Sequence, residues 1–229
     1  MARSDSSNLE VLYEDNHLIA VNKKPGDIVQ GDKTGDTPLS EIVKEYLKAK
    51  YDKPGNVFLG VVHRLDRPTS GIVIFAKTSK ALSRLNSAFA QGKTKKTYWA
   101  MVKKVPQGPT MTLTHWLVRN PKQNKSYAHS KEVAHSKKAI LSYTIRNQLD
   151  SYTLLEIDLK TGRHHQIRAQ LAAINCSIKG DLKYGAARSN PDGSIHLHAR
   201  CLSLEHPVKK EPMEFMAPTP KDALWDAVP

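Results

Sequence analysis

The chain has 229 residues, a formal net charge of +13 and a pI near 9.7. Its length is enough to bury a proper core in one large domain or two small ones, and its hydrophobic fraction of 39% excludes a disordered tail. The polar residues 1–8 lack the apolar core of a signal peptide, and no apolar run approaches the length that spans a membrane. The sequence therefore predicts a soluble, cytoplasmic, basic protein without a membrane partner.

The two cysteines, Cys176 and Cys201, are predicted to be free thiols. Their spacing matches neither a zinc knuckle nor a redox pair, and a secreted disulfide framework has more cysteines. Both have apolar neighbours, which favours buried thiols in a reducing compartment.

The first third of the chain predicts a hairpin followed by a helix. Strands over Leu9–Tyr13 and His17–Asn22 flank a polar turn, and Thr37 with Pro38 is typical of a helix N-terminus. The apolar residues that would share one face of this helix are Leu39, Ile42, Val43, Tyr46 and Leu47.

A strand and a second helix are predicted next. The apolar run Gly71–Ala76 is rich in β-branched residues, which is typical of a central strand. Ser79 is predicted to cap a helix that ends near Gly92.

The rest of the chain predicts mostly strands. The predicted strands cover Thr94–Val102, Met111–Leu117, Ala139–Arg146, Tyr152–Lys160, Ile195–Leu204 and Met213–Met216. Arg119–Lys138 is predicted to be a basic loop, Arg163–Ile174 a helix, and Thr219 with Pro220 the start of a terminal helix. Because strands outnumber scattered helices, we expect an α+β fold around a large, mixed, mostly antiparallel sheet with flanking helices. No linker divides the chain, so residues 1–229 are expected to form a single domain.

The positive charge is concentrated in one long tract. From Arg67 through Leu149 there are sixteen Lys or Arg residues and a single acid, Glu132. A stretch of more than eighty residues with one acid creates a positive field whose natural partner is a polyanion. We therefore expect the partner to be a nucleic acid.

Asp66 lies at the border of this tract, between Arg64 and Arg67. A carboxylate in that place can be held ionised beside a phosphate backbone and carry chemistry. The alternative is an aspartate that pairs with its arginine neighbours in an ordinary turn, and position alone leaves both interpretations open.

A second candidate is Tyr98, on the predicted strand that contains Lys96. Strand alternation places Tyr98, Ala100 and Val102 on one face, with Trp99 and Met101 on the other. Tyr98 could stack on a base or pack against the sheet, and both alternatives stay open.

The third candidate is the stretch from Thr161 to Arg168. On a helix, His164, His165 and Arg168 would share one side. A histidine pair suggests a metal, but no acid completes the usual hydrolase pattern, and Arg168 favours phosphate or carboxylate binding. We therefore predict no metal site, with a metal-dependent nuclease or hydrolase that uses the histidines as a rival hypothesis.

Together these segments resemble the RluA-type family of RNA pseudouridine synthases. The segments that carry the resemblance are His63-Arg64-Leu65-Asp66-Arg67-Pro68-Thr69-Ser70-Gly71, Lys96-Thr97-Tyr98, Thr161-Gly162-Arg163-His164-His165-Gln166-Ile167-Arg168, Lys179-Gly180-Asp181, Tyr184-Gly185, Leu197-His198-Ala199-Arg200 and Leu204-Glu205-His206-Pro207. The similarity runs from about Leu9 to Pro218, in order.

The resemblance implies a pseudouridine synthase fold with a central active-site cleft and the isomerisation of specific uridines in structured rRNA or tRNA. It implies that Asp66 is the nucleophile, that Tyr98 packs against the target base and takes the C5 proton, and that Arg168 pairs with Asp66. Arg64 would fill the gap that the flipped uridine leaves. The other substrate-binding residues implied are His63, Arg67, Thr69, Lys96, Arg163, Gln166 and Ile167. An isomerisation is redox-neutral, so no cofactor is expected.

The chain departs from the family pattern in two ways. Many relatives carry an S4-like RNA-binding domain before the catalytic part, whereas this sequence starts almost at the first catalytic strand, which predicts a stand-alone catalytic domain. His164 and Gln170 stand where relatives often have other residues. A non-catalytic RNA-binding protein on the same fold is the alternative function, although binding alone does not need the set Asp66, Tyr98 and Arg168.

Overall fold

A computed structural model describes residues 3–228. The strands are β1 (Val11–Glu14), β2 (Leu18–Lys23), β3 (Gly60–Val61), β4 (Ser70–Ala76), β5 (Lys95–Val102), β6 (Thr110–Asn120), β7 (Lys125–His129), β8 (Lys137–Gln148), β9 (Thr153–Leu159), β10 (Leu197–Glu205) and β11 (Pro212–Met216). The helices are α1 (Leu39–Lys50), α2 (Ser79–Ala90), α3 (Gln166–Ala173) and α4 (Ala223–Asp226), with a 3₁₀ turn over Leu182–Tyr184. The predicted α+β class with a mostly antiparallel sheet is confirmed.

The chain divides into two compact units. The first unit contains the residues up to Thr94 together with Ala199–Pro220, and the second contains Lys95–His198 and the residues from Lys221 onward. A single catalytic domain over the whole chain stays a prediction.

The first unit is built on the antiparallel order β1-β2-β4, with β3 also pairing with β4 and β11 pairing with β10. Strands β2 and β4 are buried along their whole length, which explains their continuous apolar sequences. The apolar residues of this core are Leu18, Ala20, Ile72, Ile74, Ala76, Ala81, Leu85, Leu202, Leu204, Phe215 and Ala217. Val62, in the segment that leads to the Asp66 turn, packs against this core.

The second unit is an antiparallel sheet in the order β5-β9-β8-β6-β7. Tyr98, Ala100 and Val102 of β5 face one apolar cluster, and Trp99 and Met101 face another, as the alternation predicted. Helix α3 places Ile167 and Leu171 in the first of these clusters. The sheet therefore supports both β5 and α3, which carry the second and third candidate segments.

Three predicted helix starts are wrong by a few residues. Helix α1 begins after Pro38 without a side-chain cap, so Thr37 is not its N-cap. Thr78 rather than Ser79 caps α2, because the Thr78 side chain accepts a hydrogen bond from the Ala81 backbone N–H. The terminal helix α4 starts after Asp222, whose carboxylate accepts from the Leu224 N–H, and not at Thr219.

The predicted loop over 119–138 is also wrong in part. Strand β6 continues to Asn120, β7 forms inside the stretch, and β8 starts at Lys137. The buried residue of β7 is Ser126, which is polar, so this stretch lacks the apolar alternation that marks a half-buried strand.

Both cysteines are thiols, as predicted; Cys176 is buried, whereas Cys201 is only partly buried, so the predicted burial of Cys201 is wrong. Over residues 3–228, no helix is long and apolar enough to cross a membrane.

Candidate active site

The segment that carries Asp66 forms a tight turn fixed by its backbone. The Thr69 N–H donates to the Asp66 carbonyl at 3.0 Å, and the Gly26 N–H donates to the Arg67 carbonyl at 2.8 Å. The ammonium group of Lys23, whose side chain is buried, donates to the carbonyls of Thr69 at 2.7 Å, Arg67 at 3.1 Å and Lys24 at 2.9 Å. Backbone contacts on both sides of Asp66 therefore hold the turn, which leaves the half-buried aspartate with a defined position.

Burial makes the charged form of the Lys23 side chain unfavourable. Burial lowers its pKa to about 7, although the charges of Asp27 and Asp66 act in the opposite direction. Lys23 therefore titrates near neutral pH in the folded protein.

Replacing Lys23 with Met tests this titration. Between about pH 7 and 10.5 the unfolded chain binds a proton at Lys23 that the folded chain does not, so the free energy of unfolding rises with pH. We expect the difference in unfolding free energy between wild type and Lys23→Met to shift in favour of wild type as the pH rises from 7 to 10. Urea unfolding at several pH values measures it, with Lys80→Met, an exposed lysine on α2, as control. A difference that stays flat for Lys23→Met would contradict the assignment.

The other side chains of the turn have distinct environments. Arg64 is exposed, which leaves it available to a ligand. Arg67 is held by Asp36 at 2.5 Å and by the Thr34 hydroxyl at 2.8 Å. The predicted binding role of Arg67 therefore competes with an ion pair inside the first unit.

His63 and Thr69 face inward. The Nε2 atom of His63 accepts from the Ile74 N–H at 3.1 Å, and its ring stacks on Phe89 with centroids 4.9 Å apart. Thr69 is buried, and its hydroxyl has no hydrogen-bond partner within residues 3–228. His63 therefore connects the start of the Asp66 segment to β4 and α2, and the binding roles of both residues stay predictions.

Gly71 is required at the end of the turn. Its φ of +112° disfavours any residue with a Cβ, and a Cβ built there would lie 2.4 Å from the Ala199 carbonyl oxygen. The glycine thus lets the chain leave the Asp66 turn and enter β4 beside β10.

Lys96 and Tyr98 lie on β5 of the second unit and are both half-buried. Burial lowers the pKa of Lys96, and Asp158 opposes that shift. The Lys96 ammonium approaches Gly162, since a Cβ built on that glycine would lie 3.9 Å away. The second and third candidate segments are therefore neighbours within this unit.

Gln166 fixes the loop that precedes α3. Its carbonyl oxygen accepts from the Thr161 hydroxyl at 2.8 Å and from the Arg163 N–H at 3.0 Å, and its amide donates to the Ile140 carbonyl at 3.0 Å. Arg163 is exposed, with its Nε donating to the Lys138 carbonyl, whereas Ile167 is buried in the apolar core. Arg163 therefore presents a charged group at the surface, whereas Gln166 and Ile167 are buried.

Arg168 is buried in a two-point ion pair with Asp181. Its Nε and Nη2 atoms donate to the two carboxylate oxygens at 2.7 and 2.8 Å, and both side chains are at most 5% exposed. The guanidinium also lies 5.0 Å from the ring centroid of Tyr184. This geometry fixes the plane of the guanidinium, which suits recognition of a second anion. The pairing of Arg168 with Asp66 stays a prediction.

The predicted helical face of His164, His165 and Arg168 is wrong. Helix α3 begins only at Gln166, and His165 takes a left-handed conformation with φ 52°. The two imidazole rings stack with centroids 3.8 Å apart instead of diverging around a helix. His165 contacts the Tyr184 hydroxyl at 3.0 Å, and His164 contacts the Ser126 hydroxyl at 2.8 Å.

Sequence reasoning missed the supporting residues Lys23, Asp181, Tyr184 and Ser126. Asp181 and Tyr184 had a signal, because both lie in segments that carry the family resemblance, but nothing in the sequence linked them to Arg168. Among residues 3–228, no group of three His, Cys, Asp or Glu side chains could hold a metal ion.

Known proteins are similar to this chain in sequence. The family model for RNA pseudouridylate synthase matches residues 17–173. A Chlorobaculum parvum protein described as an uncharacterized RNA pseudouridine synthase is 34% identical over 93% of this chain and 72% of its own length. Ribosomal large subunit pseudouridine synthase D of Xylella fastidiosa is 31% identical over 93% of this chain and 67% of its own length.

A solved structure shares the fold. Human RNA pseudouridylate synthase domain containing 4 superposes with a TM-score of 0.77 at 23% identity, covering 93% of this chain and 89% of the human chain. The matched family model covers the Asp66 turn, Tyr98 and Arg168. The chain therefore belongs to the RNA pseudouridylate synthase family, the RluA-type enzymes that isomerise uridine to pseudouridine in RNA.

Proposed function

We propose that Asp66, Tyr98 and Arg168 carry the reaction, and that the substrate is a uridine in a structured rRNA or tRNA. The observation that supports this most is the fixed backbone of the Asp66 turn, which presents a half-buried carboxylate next to the exposed Arg64. The site acts on a base, so the uridine leaves the stack first, and Arg64 is the side chain proposed to fill its place.

In the proposed mechanism, the Asp66 carboxylate attacks C1′ of the uridine and forms a bond to it while the bond between C1′ and N1 breaks, and N1 keeps the electron pair. The uracil then turns, and its C5 attacks C1′, which breaks the bond between C1′ and Asp66 and returns the carboxylate. Tyr98 takes the C5 proton while its own hydroxyl proton passes through solvent to N1, so that atoms and electrons balance without a redox partner. Arg168 pairs with Asp66 in this scheme, and its planar guanidinium holds the carboxylate in position for the attack on C1′.

The substrate class is supported by charge and by relatives. A net charge of +13 favours a polyanion, and the Xylella relative is named for the large ribosomal subunit. Lys93, Lys95, Lys103 and Lys104 are exposed around β5 and are proposed to contact phosphates, whereas Lys96 is half-buried. A ribosomal substrate also supports the cytoplasm as the location.

RNA affinity should fall steeply with salt. Each phosphate contact releases counterions, so the slope of log affinity against log salt is about 0.7 per contact for single strands. Reversing Lys93, Lys95, Lys103 or Lys104 to Glu should make the slope shallower for a uridine-containing stem-loop, and Lys96→Glu needs a folding control. A wild-type affinity that does not change with salt would mean that the basic tract is only a solvated surface.

Incubating the purified protein with total RNA tests the proposed activity. Pseudouridine should form at a small number of defined uridines, detected by carbodiimide labelling and primer extension. RNA binding without any new pseudouridine in rRNA or tRNA would instead support the non-catalytic alternative.

A further inference from the structure

A group of lysines surrounds one exposed aromatic ring in the first unit. The ammonium groups of Lys50, Lys53 and Lys77 lie 5.5, 5.5 and 5.1 Å from the ring centroid of Tyr51. The ring belongs to the residue that follows α1, and Tyr51 is 48% exposed. We call these four side chains the Tyr51 cluster.

A buried carboxylate holds the Tyr51 cluster together. Glu14, at the end of β1 and only 6% exposed, accepts from Lys50 at 2.7 Å, from Lys77 at 2.6 Å and from the Tyr51 hydroxyl at 2.8 Å. Burial alone would raise the pKa of Glu14, but these three hydrogen bonds lower it to about 2. Glu14 therefore stays ionised at neutral pH and orients the lysines and the ring.

The Tyr51 cluster keeps a surplus of positive charge. One carboxylate, Glu14, serves both Lys50 and Lys77, and Lys53 has no ion-pair partner among residues 3–228. The Glu14 contacts explain Lys50 and Lys77 as part of the fold. They do not explain the exposed Lys53 or the exposed area of the Tyr51 ring.

We propose that the Tyr51 cluster binds an unpaired segment of the RNA substrate, with a base on the Tyr51 ring and phosphates at Lys53 and its neighbours. Aromatic rings flanked by cations are the platform with which proteins bind single-stranded nucleic acid, because every base has a stacking face and every nucleotide a phosphate. An acidic peptide would satisfy the lysines but would not use the ring. The inference rests on the proposed RNA substrate and adds a contact outside the Asp66 turn.

Two variants separate the ring from the charge. The probe is a fluorescent uridine-containing stem-loop with a single-stranded flank, titrated across a salt series. We expect Tyr51→Leu, which keeps an apolar side chain, to weaken binding about fivefold or more. Lys53→Gln should lower the slope of log affinity against log salt by about 0.7. Lys209→Gln, which changes an exposed lysine of the first unit outside the basic tract, is the matched control and should change neither quantity.

The affinities of the two variants decide whether the Tyr51 cluster binds RNA. Loss of affinity in both variants, with wild-type turnover at saturating RNA, supports the inference. Unchanged RNA affinity in Lys53→Gln and Tyr51→Leu overturns it. A loss of affinity in Lys53→Gln alone also overturns it if an acidic peptide competes with the RNA equally well at this surface, because the ring then makes no contribution to binding. Within residues 3–228, the Lys53 ammonium contacts the Tyr51 ring and forms no ion pair, so the Lys53→Gln variant is informative even if Tyr51→Leu unfolds. If the wild-type protein forms pseudouridine and both variants bind RNA normally, the inference about this surface is refuted but the proposed function is unaffected.

Discussion

Asp66→Asn should abolish pseudouridine formation while the protein still folds and binds RNA. The amide keeps the shape of the carboxylate but is not a nucleophile, so turnover should fall by at least about a thousandfold. The turn itself should survive, because the Asp66 backbone carbonyl and the Lys23 ammonium hold it without the Asp66 side chain. Tritium release from C5-labelled uridine RNA measures the turnover.

A second aspartate provides the control for this variant. Asp36 pairs with Arg67 in the same unit but is not proposed to react, so Asp36→Asn should retain most turnover. If Asp66→Asn released tritium at a rate near that of wild type, Asp66 would not be the nucleophile.

Arg168→Ala should lower both stability and activity. The change leaves the Asp181 carboxylate buried without its two-point partner, and breaking one side of a buried ion pair costs about 3–5 kcal/mol of unfolding free energy. Turnover at saturating RNA should fall far more than in Lys122→Ala, because Lys122 is exposed and is expected to act only through phosphate attraction. Urea unfolding and single-turnover kinetics measure the two effects.

A second variant separates stability from catalysis. Asp181→Asn keeps a hydrogen-bond acceptor for Arg168 and tests whether the buried pair positions the guanidinium.

Lys125→Ala is a weaker control than Lys122→Ala, since the Lys125 ammonium lies 5.1 Å from the Tyr184 ring centroid and so touches the same group of residues. Equal losses of turnover in Arg168→Ala and Lys122→Ala would defeat the assignment of Arg168.

The elements that the sequence predicted well are those with a strong local pattern. Strand β4 was identified by its unbroken apolar run, and the faces of β5 by the alternation around Tyr98. Both patterns arise because one or both faces of the strand are buried, and buried strand positions are apolar in the sequence.

The elements that were missed depend on contacts between residues distant in the chain. Strand β7 is mostly polar; it pairs with β6, and its Ser126 N–H donates to the hydroxyl of Tyr184. The start of α3 is set by Gln166 through the Ile140 carbonyl on β8. Local sequence propensity does not identify contacts between residues that are distant in the chain. Neither β7 nor the stacking of His164 on His165 was therefore predictable.

The same limit applies to the candidate site. The motifs singled out Asp66, Tyr98 and Arg168, but not the groups that hold them. Lys23 precedes the turn by more than forty residues, and its three carbonyl contacts exist only in the folded chain.

Pseudouridine mapping in cells tests the central claim most directly. Total RNA is compared from cells with the gene, without it, and with the deleted gene replaced by wild type or by Asp66→Asn. We predict that one or a few uridines in rRNA or tRNA lose their modification on deletion, regain it with wild type, and stay unmodified with Asp66→Asn. A pseudouridine pattern that is identical in all four strains, or restored by Asp66→Asn, would contradict the account.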